Sequence, residues 1–192
     1  EPGPTGTNIY WISIAAEYWQ MMEGPPWGWK TRPRDPDSPA PDDAVRILEP
    51  LPWEIQPGVV CTLADPIWWP EPTNSWDLAF ELISSPEETS SKWQQLPDLS
   101  NNGIDVNATG WTNTQPPVPP YLLADDFLCT ETGPITNITI WASCFHDYHD
   151  YQSGPSKITI TLSCHNDLPA GVQAPWSMPG AVRWVRTFTP AQ

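Results

Sequence analysis

The sequence predicts an all-β chain, a β-sandwich or jelly-roll-like fold with long Pro-rich loops, on three observations. Proline and tryptophan are abundant, with 26 and 13 copies in 192 residues. Proline removes a backbone donor and fixes φ, so a chain this rich in it cannot be mainly helical. Short runs of β-branched and aromatic residues recur between Pro/Gly turns, and the clearest of them alternate apolar and polar side chains with period two, as a half-buried strand requires.

In chain order, residues 9–15 are aromatic and β-branched and read as a strand buried on both faces. Residues 24–52 hold a dense run of Pro, Gly and Asp and read as an ordered, irregular excursion pinned to the sheet by its tryptophans. Residues 76–83 alternate, with Trp76, Leu78, Phe80 and Leu82 on one face and Asp77, Ala79 and Glu81 on the other. The polar stretch 84–91 has little β propensity and marks a boundary. It divides the chain into a β-rich segment over 1–85, a linker over 86–98 and a second β-rich segment over 99–192. Strands are expected in the second segment at 121–129, 135–144, 157–164 and 182–188, with Ile138, Ile140, Ala142 and Cys144 facing inward and Asn137 outward.

The balance of 23 acidic against 8 basic residues, a net charge of −15, excludes nucleic acid as a natural partner, because phosphate contacts need Lys and Arg. Anionic membranes are disfavoured for the same reason, and no run approaches the apolar length of a membrane span. Glu1 is not a start methionine and no apolar signal segment follows it, so the chain reads as a mature or excised piece.

Four cysteines without C-x-x-C spacing point to disulfides in an oxidising compartment rather than to zinc. Antiparallel strand order puts Cys129 and Cys164 at one end of the sheet, which pairs Cys129 with Cys164 and leaves Cys61 with Cys144. Asn107 and Asn137 fit the glycosylation sequon. Flat apolar rings stack on sugar faces, so Trp27, Trp29, Trp68 and Trp69, all in Pro-rich stretches, form a candidate carbohydrate platform. No cofactor is expected, with calcium as the alternative, for which the acidic pairs Asp42, Asp43 and Asp125, Asp126 are candidate hard-oxygen ligands. The cluster His146, Asp147, His149 and Asp150 reads as a solvated loop. No nucleophile elbow, phosphate loop, dinucleotide fingerprint or His-Glu-x-x-His occurs, and the chain is expected not to be an enzyme.

The runs Leu123-Ala-Asp-Asp-Phe-Leu-Cys129, Gly28-Trp-Lys-Thr31, Asp42-Asp-Ala-Val45 and Asp77-Leu-Ala-Phe80 resemble an uncharacterised domain of secreted bacterial proteins, common in multi-domain surface polypeptides. The first half resembles the end of that domain and the second half its beginning, so the chain resembles one domain's end followed by the next one's start. The resemblance implies either one period of a tandem repeat or subunits that complete each other by exchanging strands. The expected function is a structural subunit of an extracellular filament or surface layer, polymerising with copies of itself. The alternative is a secreted carbohydrate-binding (adhesion) module with glycans as partners.

Overall fold

The computed structural model describes residues 8–19, 25–35, 37–40, 42–68, 75–84, 91–101, 103–111, 120–130, 133–145 and 157–189. Along them run β1 (Ile9–Tyr18), β2 (Trp27–Pro33), β3 (Val45–Glu49), a 3-10 turn (Pro52–Glu54), β4 (Leu63–Pro66), β5 (Trp76–Leu78), β6 (Phe80–Ile83) and β7 (Ser91–Gln95). They continue with β8 (Asp105–Asn107), β9 (Thr109–Trp111), β10 (Leu122–Leu128), β11 (Asn137–Ile140), β12 (Ala142–Cys144), β13 (Thr159–Leu168) and β14 (Met178–Phe188). The fold is an all-β sandwich.

A seven-stranded sheet in the order β14-β13-β1-β10-β3-β4, with β9 beside β1, forms the main layer. A three-stranded sheet, β11-β6-β7, and a four-stranded sheet, β12-β2-β5 with β8 on β2, complete the fold. β1 occupies the middle of the main sheet, and its residues Trp11 to Ala16 are buried on both faces, as its unbroken apolar run requires. From one face Ile12, Ile14, Ala16 and Tyr18 pack with Trp29, Leu78, Phe80 and Leu82 of the smaller sheets. From the other, Trp11 and Ala15 pack with Val45, Cys61, Met178 and Val182. This second core is closed at the sheet's edges. Residues just before β4 reach β14 through Val182 N to Val59 O (2.8 Å) and Gly58 N to Val182 O (2.9 Å), so the twisted main sheet curls toward closure there.

Three local expectations change. Residues 24–52 are not irregular throughout, because β2 and β3 lie within them. Residues 76–83 and 135–144 are each two strands, broken at Ala79 and Trp141. The reason is shared: Trp141 N donates to Ala79 O (3.3 Å), and on either side of the break each chain changes sheets. β5 pairs β2 while β6 pairs β7 and β11. Residues 91–95, expected in the linker, form β7, because Lys92 and Gln95, both buried, find acceptors in Gly133 O and in Leu78 O and Asp125 that their polar character did not announce.

Trp29 is 0% exposed, donates from Nε1 to Ala79 O at 2.7 Å and meets Phe80 edge-on at 6.0 Å. Replacing Trp29 with Ala is expected to cost about 3–5 kcal/mol, measured as a lowered midpoint in urea unfolding. An unchanged midpoint would contradict its place in the core.

Candidate functional site

Two features of the architecture can carry function. The first is the seam between the halves. β1 pairs β10 from Ile9↔Leu128 to Ile14↔Leu123, and pairs β13 from Tyr10↔Asn166 to Glu17↔Thr159. The Val45 end of β3 pairs Ala124, and Gly28 of β2 pairs Asn107. The Gly28 contact needs glycine, because a Cβ there would lie 2.7 Å from the Asp105 Cβ. The motifs singled out in the first half are therefore the surfaces on which the second half folds.

The knot of the seam is Asp125. It is fully buried, and its Oδ2 accepts from Leu78 N at 2.7 Å and from the Gln95 side-chain amide at 3.1 Å, while its Oδ1 accepts from Asp126 N at 3.0 Å. Burial, with the Asp77 and Asp126 carboxylates nearby, pushes its pKa well up against the pull of these donors. Asp126, on the opposite face of β10, is also fully buried, and both its carboxyl oxygens lack a hydrogen-bond partner among the described residues. Burial and then the Asp42, Asp77 and Asp167 carboxylates raise it to about 9. Asp77 rises to about 7 through burial, despite the Asp35 N–H and the Arg32 guanidinium 3.9 Å away.

The candidate calcium ligands are thus split. Neighbouring positions on a strand point to opposite faces, so Asp125 and Asp126 diverge. Asp42 acts on Asp126, while Asp43 is paired with Arg34 at 3.1 Å. Among the described residues no group of three or more His, Cys, Asp or Glu side chains is arranged to hold a metal. The cluster at 146–151 lies outside the described residues.

The second feature is a cleft of about 800 Å³ where β2, β8 and β12 meet β3, β4 and β10. Trp27 and Trp68 both line it, joined by Tyr121 and Phe145, which the sequence did not single out: Tyr121 follows the prolines of 116–120 but opens an expected strand, and Phe145 follows the end of another. Trp68 is 48% exposed and rests edge-on against Trp176 at 6.3 Å. The Arg46 guanidinium lies 3.6 Å over the Tyr121 ring. Asp105 is fixed by Lys30 at 3.2 Å and by the Ser143 hydroxyl. Of the other platform candidates, Trp29 belongs to the core and Trp69 lies outside the described residues.

The sequons differ in access. Asn137 is exposed at the start of β11. Asn107 is exposed too, but its Oδ1 accepts from Thr109 N at 2.9 Å, and Thr109 is buried with its hydroxyl bonded to the Trp27 backbone.

The expected disulfides are not formed: Cys129 is not joined to Cys164, nor Cys61 to Cys144. β13 runs on to Leu168, so Cys164 is mid-strand opposite Ile12, while Cys129 N bonds Asn8 O. Four residues of β1 separate these levels, about 13 Å, where a disulfide spans about 6 Å. Cys61 belongs to the core on one face of the main sheet and Cys144 lines the cleft on the other side. Burial holds the Cys61 and Cys164 thiols protonated, each pushed up to about 12.

Inside the second core, Ser13 and Ser163 hydroxyls lie 2.5 Å apart and 3.2 and 2.9 Å from His165 Nε2. Nucleophile and base are in reach of one another, but all three side chains are fully buried, so a substrate has no path to them. Burial holds His165 neutral, with its pKa lowered to about 4.

A family model described as a domain of unknown function, DUF7901, matches residues 4–83 and 91–192. No curated protein and no solved structure matches the chain.

Two outcomes test the seam. Asp125→Ala strands the Leu78 N–H and the Gln95 amide and should destabilise by about 1–3 kcal/mol, whereas Asp125→Asn keeps an acceptor and should cost less; equal losses would show that the carboxyl makes no such bonds. The raised carboxyls favour folding when protonated, an advantage present below the ordinary carboxylate range and lost as pH rises through about 7 for Asp77 and about 9 for Asp126. Neutral His165 acts oppositely, its contribution being present above about 6.5 and lost as pH falls toward 4. Above pH 6.5 the carboxyl trend is unopposed, so the melting temperature should fall from there to pH 9, and Asp126→Asn should flatten the slope. A melting temperature that rises over that window would refute the burial of these acids.

Proposed function

The chain belongs to the DUF7901 family, a domain of unknown function, and from that premise we propose that it is a structural subunit or repeat of an extracellular bacterial filament or surface layer, not an enzyme. The observation that carries this reading is that every sheet takes strands from both matched stretches. β1, β3 and β4 interleave with β10, β13 and β14, β6 sits between β7 and β11, and β2 sits between β12 and β5 with β8 added. Neither half completes a sheet without the other. Complementary halves of this kind can close within one chain or between successive copies, and a head-to-tail contact that does not close on itself builds an open polymer.

A free edge supports the same reading. Beyond Val182 no strand of the described residues lies against the outer edge of β14, and an open edge presents backbone donors and acceptors to a neighbouring chain. Arg186 is exposed on it, one of only 8 basic residues in a chain of net charge −15, whereas Arg183 turns over the sheet face, donating to Asn166 Oδ1 at 2.9 Å with its guanidinium 5.2 Å over the Tyr10 ring. Another copy's acidic surface is the natural complement of Arg186. In this role Asn137 is the accessible sequon of a surface glycoprotein.

Analytical ultracentrifugation over rising concentration, with negative-stain electron microscopy, tests the proposal. Growing assemblies and regular fibres are expected, with Phe188→Lys weakening association about tenfold by placing a charge on the exposed edge strand. A monomer at every concentration, without fibres, would overturn it.

A further inference from the structure

We propose that the cleft between the small β2 sheet and the β3–β4 edge binds a short neutral oligosaccharide. Its volume of about 800 Å³ lies in the range of small-ligand sites, roughly 300–1,000 Å³. Its apolar surface is aromatic and offered to solvent: Trp68 is 48% and Phe145 59% exposed. Trp68 is also braced from behind by Trp176, whose own Nε1 is tied to Ala64 O at 3.0 Å. A ring held in place loses little freedom when the C–H face of a sugar stacks on it.

The polar groups match hydroxyls rather than ionised groups. Asp65 and Asn107 are exposed at the cleft, and Asp105 is already oriented by Lys30 and Ser143. Carboxylate and amide oxygens accept from sugar hydroxyls, and Arg46, stacked on Tyr121, supplies donors from the facing wall. Lys30 already pairs with Asp105, and Arg46 offsets Asp65 at the cleft, so no surplus cation is left there for an acidic sugar, and a chain of net charge −15 repels uronates and sulfated sugars. The class is therefore uncharged glycans.

Isothermal titration of the full chain with cello-, xylo-, manno- and chito-oligosaccharides, and with alginate as the acidic counterpart, provides the test. At least one neutral series should bind and alginate should not. Trp68→Ala should weaken binding about tenfold or more and Asp65→Asn several-fold. Trp53→Ala, at a ring more exposed than Trp68 but outside the cleft, should bind as wild type. Absence of heat with every neutral series, preference for alginate, or equal affinities for Trp68→Ala and Trp53→Ala would each overturn the assignment.

Discussion

The carboxyl group of Asp125 is the constraint on which the arrangement of sheets depends. It stands on β10 in the main sheet, receives Leu78 N from the β2 sheet and the Gln95 amide from the β6 sheet, and so joins all three layers at one point. A buried carboxyl without partners is costly, and each donor it lacks adds to that cost. The sheets can approach closely only in the arrangement that delivers these donors together. Leu78, Phe80 and Leu82 then reach Ile12, Ile14 and Phe127 across the main core, and the burial of that apolar surface supplies the bulk of the favourable energy.

Next to it, Asp126 has none of these partners. It occupies the other face of the same strand, near Asp42 and Asp167, and remains inside because it is held neutral. A pair of adjacent identical residues thus serves opposite ends: one organises the seam by accepting hydrogen bonds, and the other makes the fold sensitive to pH. The His165, Ser13 and Ser163 cluster is the polar counterpart within the second core, its hydroxyls meeting His165 Nε2 while Nδ1 lies 3.4 Å from Gly180 O, and it is sealed from solvent.

The two fully buried tryptophans follow the same rule. A large ring goes inside when its indole N–H finds an acceptor. Trp29 finds Ala79 O, at the chain break where two sheets separate, and Trp11 finds Asp167 Oδ1 at 3.0 Å. Trp27 and Trp68 stop at the cleft, where β3 and β4 diverge from β2 and leave space between them. One composition therefore supplies both a core and an aromatic surface, and the division between them is spatial.

Period-two alternation and the proline turns determined the all-β class, the existence of β10, β13 and β14, and the outward placement of Asn137, while an unbroken apolar run marked the doubly buried first strand. These are local properties, decided by which side chains a pleated strand turns to each face. Alternation could not separate β5 from β6 or β11 from β12, because Ala79 and Trp141 interrupt their strands by bonding each other, 62 residues apart. It could not tell Trp29 from Trp68, nor Asp125 from Asp126, since each choice rests on an acceptor or donor brought from another sheet. Nor could strand order pair the cysteines once β13 proved longer than its apolar run. The tertiary structure decided these matters, because hydrogen-bond satisfaction in the interior depends on contacts as distant in sequence as Trp11 and Asp167, and a local pattern contains no information about which distant group will arrive.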